Sequence, residues 1–133
     1  MEAFIGTWKN ESSEDFDKIM ERLKVNPELR KMGNTIKPNF IISDMGGGKY
    51  NMRLESSVKI IDTTFKLGEK FKEVTPDSRE VTSLITLDHN VLKQEQVGPD
   101  RTVYIDREVD GNTMKMIVKV DELVSTRTYS KVA

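Results

Sequence analysis

Thr113-Met114-Lys115-Met116-Ile117-Val118-Lys119-Val120, then Asp121-Glu122, then Leu123-Val124-Ser125-Thr126-Arg127-Thr128-Tyr129-Ser130-Lys131, is the stretch on which the reading of this chain turns. In the first run Met114, Met116, Val118 and Val120 point one way and Thr113, Lys115 and Lys119 the other, with Ile117 the one break. Period-two alternation marks a half-buried β-strand. The acidic pair reads as a turn, so the second run returns antiparallel to the first.

The same grammar extends towards the N-terminus. Turn signals stand at Asp44-Met45-Gly46-Gly47-Gly48, Glu55-Ser56-Ser57, Leu67-Gly68, Thr75-Pro76-Asp77-Ser78, Asp88-His89-Asn90, Gly98-Pro99-Asp100 and Asp110-Gly111-Asn112. They divide the chain into strands near 37–43, 49–55, 58–66, 69–74, 79–87, 91–97, 101–109, 113–120 and 123–131, and Phe4 to Asn10 makes a tenth. Short strands in meander order with no crossover helices between them predict an antiparallel sheet closed on itself to remove its edges. One segment has helical period instead: Phe16, Ile19, Met20 and Leu23 fall at i, i+3, i+4 and i+7, after Ser13 as a cap and the acids Glu14 and Asp15. Asn26-Pro27 reads as an N-cap with proline at the first helical position, Leu29, Met32 and Ile36 as the apolar side, and Gly33 as a stop. The spacing predicts a helix-turn-helix over about 14–36.

Composition removes whole classes of function. The 133 residues include no cysteine and one histidine, which excludes a disulfide scaffold, a thiol nucleophile and cysteine-ligated metal, and no metal site is expected. With 21 Lys+Arg against 22 Asp+Glu there is no basic footprint for nucleic acid. No nucleophile elbow or phosphate-cradling glycine loop is present; Gly46-Gly47-Gly48 lies between strands and His89 in a turn, so an enzyme is not expected. No linker or repeat interrupts residues 1–133, which predicts one domain. The N-terminus lacks an apolar signal region and the longest core-like stretch is Phe40-Ile41-Ile42, so a cytoplasmic protein is expected.

Only 36% of the residues are hydrophobic, and the strand phases show where polar groups go instead. Arg107 shares the phase of Val103, Ile105 and Val109, aimed inward between aliphatic neighbours. A guanidinium cannot shed its charge cheaply, so it must meet water, an internal acid or an anionic ligand. Arg127 and Tyr129 are i, i+2 neighbours on one face, and a guanidinium beside a phenol makes a good carboxylate receptor. Gln94 and Gln96 share the phase of Leu92; with Arg79 they are expected to organise cavity water.

Gly6-Thr7-Trp8-Lys9, Phe16-Asp17, the stretch from Phe65 through Gly68-Glu69-Lys70-Phe71-Lys72-Glu73-Val74-Thr75-Pro76-Asp77-Ser78-Arg79, and Thr126-Arg127-Thr128-Tyr129 resemble the intracellular fatty-acid-binding protein family over essentially the whole chain. The resemblance implies an all-β, ten-stranded antiparallel up-and-down β-barrel, a lipocalin-like β-clam with the helices as its lid. In the heart, adipocyte and myelin P2 branch it implies a carboxylate bound by Arg107, Arg127 and Tyr129, with Asp77 and Arg79 lining the cavity. Arginines at these positions favour an acid over an alcohol such as retinol. The sequence departs from the family at Asn10, at Asp15 and at Val58, where relatives carry a portal phenylalanine.

The expected function is reversible, non-covalent binding and intracellular transport of a long-chain fatty acid by a monomer, without a cofactor, and with transient membrane contact through the lid. Phe16, Met20, Ile36, Val58, Ile105 and Met116 are the expected apolar cavity and portal residues. The alternatives are a carrier of retinoic acid or another hydrophobic acid, and a peripheral membrane-organising protein of the myelin P2 kind. A pI of about 5.9 and equal numbers of basic and acidic side chains across 14–33 speak against the last.

Overall fold

A computed structural model describes residues 1–35, 37–57, 60–75, 79–99 and 101–132, without the side chains of 32–35. A 3-10 turn at Glu2–Phe4 leads into β1 (Gly6–Glu14), α1 (Phe16–Arg22) and α2 (Pro27–Thr35). The strands β2 (Asn39–Gly46), β3 (Lys49–Glu55), β4 (Ile60–Lys66), β5 (Phe71–Val74), β6 (Glu80–Asp88), β7 (Val91–Val97), β8 (Thr102–Asp110), β9 (Thr113–Val120) and β10 (Leu123–Lys131) follow. They form one antiparallel ten-stranded sheet in the order β4-β3-β2-β1-β10-β9-β8-β7-β6-β5, curled into a nearly closed barrel.

Several boundaries differ from expectation, β2 for one running over Asn39–Gly46 into the expected turn. Phe4 belongs to the 3-10 turn, which the indole Nε1 of Trp8 ties down by donating to the Phe4 carbonyl at 3.0 Å. Ser13 and Glu14 are strand, not helix cap, because a register shift between Asn10 and Ser12 lets β1 keep pairing with β10, Ser13 opposite Arg127 and Glu14 opposite Thr126. The helix starts at Phe16 after Asp15 in a left-handed conformation (φ 59°). Asn26 does cap α2, its Oδ1 accepting from the Leu29 N–H at 3.0 Å, but α2 runs through Gly33 to Thr35. A glycine inside a helix costs only about 1 kcal/mol, too little to end it alone.

Closure is also incomplete in one place. β1 pairs with both β2 and β10, whereas β4 and β5 are the two ends of the ladder. Side chains bridge that seam: the Phe65 and Phe71 rings stack at 6.1 Å, and Tyr50 adds a third ring 5.9 Å from Phe65. The turn between them needs Gly68 (φ +79°), whose N–H donates to the Ile85 carbonyl at 2.9 Å.

The alternation expected of β7 to β10 holds, with Leu92, Val103, Ile105, Met114, Val118 and Val120 buried. One core cluster joins Phe4, Trp8, Phe40, Ile42, Met52, Phe65, Ile85, Leu92, Met114 and Tyr129. A second joins Ile19 of α1 to Val103, Ile105, Val118 and Val120, with Phe16 and Leu23 packed against it. α1 thus seats on β9 and β10, and Arg22 fastens it there through Asp121 (2.9 Å) and Glu122 (2.6 Å) in the β9–β10 turn. α2 is tied to α1 by Arg30 on Asp17 at 2.8 Å. Among the described residues no helix is long and apolar enough to cross a membrane.

Candidate functional site

Beneath α1 and α2 lies a cavity of about 280 Å³ walled by the inward faces of the strands. Cross-strand register builds its polar end. Arg107 on β8 and Arg127 on β10 are both opposite Met116 on β9, and Ser13 on β1 is opposite Arg127. Arg107, Met116, Arg127 and Ser13 therefore form one row across four neighbouring strands, with the guanidinium groups flanking a thioether. Tyr129 lies two residues along β10 from Arg127, so its side chain faces the same way.

Each cation has its own surroundings. The Arg127 Nε donates to the Ser13 Oγ at 2.9 Å, and its guanidinium carbon stands 4.3 Å from the Phe16 ring centre. Tyr129 is 2% exposed, and its hydroxyl is 3.9 Å from the Met116 Sδ. That weak acceptor leaves the phenol a strong donor for an oxyanion. Arg107 is deeper. Its Nη1 donates to the Gln94 Oε1 at 2.9 Å, its guanidinium lies 5.0 Å from the Phe40 ring centre, and its buried Nε has no hydrogen-bond partner among the described residues. Burial pushes its pKa down to about 10, opposed by Tyr129 and Glu73; it remains a cation at neutral pH.

Of the three partners open to Arg107, the structure supplies an internal acid through one amide. The Gln94 Nε2 donates to the Glu73 Oε1 at 2.9 Å, the Gln96 Nε2 to the same oxygen at 3.2 Å, and the Ser83 hydroxyl donates there as well. The two glutamines expected to order water thus serve a carboxylate that sequence reading missed. A signal for Glu73 existed, since it shares the phase of Phe71, but a four-residue strand is too short for alternation to stand out.

The cavity collects most of the expected residues. Arg107, Arg127, Tyr129, Gln94, Gln96, Arg79, Phe16, Met20, Ile105 and Met116 all line it. Ile36, Val58 and Asp77 lie outside the described residues. Additional lining comes from Leu23, Val25 and Leu29 of the helical segment and from Met52, Leu54 and Ile61 of β3 and β4. Away from the arginines the wall is mostly apolar, so the cavity can hold an amphipathic anion end to end.

Residues 5–132 match the Lipocalin / cytosolic fatty-acid binding protein family. Fatty acid-binding protein homolog 2 of Echinococcus granulosus is 66% identical over 131 residues, 98% of each chain. The crystal structure of fatty-acid-binding protein 1 of the same organism superposes with a TM-score of 0.99 at 64% identity, covering 100% of both chains. A Schistosoma mansoni fatty acid binding protein in complex with arachidonic acid superposes with a TM-score of 0.96 at 40% identity, covering 100% of this chain and 98% of that one. With the barrel, the lid and the full-length match in agreement, this chain belongs to the lipocalin and cytosolic fatty-acid-binding protein family.

Proposed function

We propose that this chain, acting as one domain over residues 1–133, binds a long-chain fatty acid reversibly and without covalent chemistry and carries it through the cytoplasm. The carboxylate is received by Arg107, Arg127 and Tyr129, while the tail lies against Phe16, Met20, Ile105 and the other apolar lining. The observation that carries this reading is the row in which the two arginines flank Met116, with Tyr129 one step away and a buried Nε of Arg107 still without a partner among the described residues. The arachidonic acid held by the Schistosoma relative supports the same ligand class.

The energetics are consistent with a carrier. Burying roughly 14 methylenes at ~0.8 kcal/mol each contributes about 11 kcal/mol gross. Charge-assisted hydrogen bonds add roughly 1.5–3 kcal/mol apiece. Association and ordering remove roughly 4–15 kcal/mol. A dissociation constant between about nanomolar and micromolar follows. The tail supplies most of the affinity, and the head group sets orientation and the preference for acids.

Two measurements test the reading. Mass spectrometry of lipid extracted from natively purified protein should find fatty acids; a retinoid instead would make it a carrier of another hydrophobic acid. Oleate and methyl oleate, titrated against the protein and the double variant Arg127→Ala, Tyr129→Phe, should reveal a strong loss for the acid alone. An unchanged acid-over-ester ratio would move the site elsewhere.

A further inference from the structure

Among the described charged side chains lining the cavity, Glu73 is the one acid against Arg79, Arg107 and Arg127. Its Oε1 collects Ser83, Gln94 and Gln96 as donors, and Gln94 turns its other end to Arg107. The direction of this relay is fixed: Gln94 must give its N–H to an acceptor-only carboxylate, so its carbonyl must face the guanidinium. Glu73 and Arg107 are thereby held as a counter-charge pair separated by one neutral amide. A cation buried to this degree is costly without compensation.

We propose that Glu73 is an internal counter-ion that stands in for the ligand's carboxylate at Arg107 in the empty barrel and so limits how tightly acids bind. This rests on the carboxylate site proposed above and assigns that site a further, specificity-determining residue. An entering carboxylate meets an arginine whose field is already partly satisfied through Gln94. The consequence is a carrier that keeps its empty state folded and releases its cargo.

Glu73→Gln separates charge from hydrogen bonding, because the amide oxygen of the new residue still accepts from Ser83, Gln94 and Gln96. In the full-length, delipidated protein, oleate and methyl oleate are titrated by displacement of anilinonaphthalene sulfonate. The acid-over-ester affinity ratio should rise about tenfold, as expected for freeing Arg107 from an opposite charge one amide away in a partly screened interior. The same substitution in an Arg107→Gln background should leave the ratio unmoved, because the charge it acts on is gone. An unchanged or lowered ratio in the single variant, or an equal rise in both backgrounds, overturns the proposal.

Should Glu73→Gln alone fail to fold, Arg107→Gln is compared with Arg107→Gln, Glu73→Gln, both of which lack the buried cation. Unequal ratios overturn the counter-ion; equal ratios together with restored folding in the double variant support it, and a double variant that fails to fold as the single one does overturns it. A ratio insensitive to Arg127→Ala, Tyr129→Phe marks the different failure, loss of the carboxylate site itself.

Discussion

Arg107 and Arg127 lie on opposite sides of Met116, yet they are held by different regions of the molecule. Arg127 belongs to the lid end: its hydrogen bond goes to Ser13 at the end of β1, and its guanidinium is capped by Phe16, the first residue of α1. Arg107 belongs to the wall: its contacts are Gln94 and Phe40, and its counter-charge, Glu73, is reached only through the amide. The first is a cation on a local scaffold with capacity to spare. The second is a buried cation whose charge is already partly answered. Two arginines in matching register therefore need not contribute equally to binding, because what remains available to a ligand depends on what the protein has already done with each.

The largest expected effect separates the two in binding. Arg127→Ala should weaken oleate about 100-fold, since a charge-assisted bond is worth roughly 1.5–3 kcal/mol; Arg107→Gln should cost only about tenfold, because Glu73 already opposes that charge. Calorimetric titration of both variants decides it, and equal losses would dissolve the distinction.

Stability should split in the opposite sense. Burial costs the Arg107 cation more than Tyr129 and Glu73 return, as its lowered pKa records, so Arg107→Gln should raise the urea midpoint of the ligand-free protein. Arg127→Gln should not, because it loses the Phe16 ring, where a cation–π contact is worth roughly 0.5–2 kcal/mol. The sign with pH follows from a cation whose folded pKa lies below its usual value. Its cost is present at all pH below about 10 and is relieved above it, so the gain from Arg107→Gln should be constant between about pH 6 and 9 and shrink beyond 10. A gain that vanished near neutrality would contradict the assignment.

The lid end offers the smallest effect. Hydrogen bonds from Arg22 hold the Glu122 carboxyl down at about 2 and Asp121 below its usual range. A carboxylate depressed in the fold stabilises it above the ordinary carboxylate pKa and loses that contribution as pH falls through its folded value. Glu122→Gln should therefore lower the urea midpoint slightly at pH 6, speed ligand exchange by about threefold or less as expected for an exposed pair, and differ from the parent no longer by about pH 2. Midpoints measured across that range, with stopped-flow exchange of a fluorescent fatty acid, check it. Identical behaviour at pH 6 would show that apolar packing of Ile19 and Leu23 holds α1 without the ion pairs.

Long alternating runs were legible as they stood. β9 and β10 have the predicted bounds, and the inward phases of Arg107, Arg127, Tyr129, Gln94 and Gln96 follow from period two alone. Short or irregular segments were not. Glu73 sits on a four-residue strand, and Ser13-Glu14 carries cap-like residues whose strand state depends on β10, a partner with no trace in the local pattern. The unpaired seam between β4 and β5 was equally hidden, since turn signals at Leu67-Gly68 read the same whether the flanking strands pair or part.

By itself, the sequence determined the period of each strand, the amphipathic lid and the set of polar side chains that had to face inward, because backbone geometry ties side-chain direction to residue parity. The tertiary structure decided which of those inward groups meet. Arg107, Met116, Arg127 and Ser13 stand in one row only because four strands pair in a particular register, closed by contacts between the two ends of the chain. Register is a property of pairs of strands, and no single strand carries it.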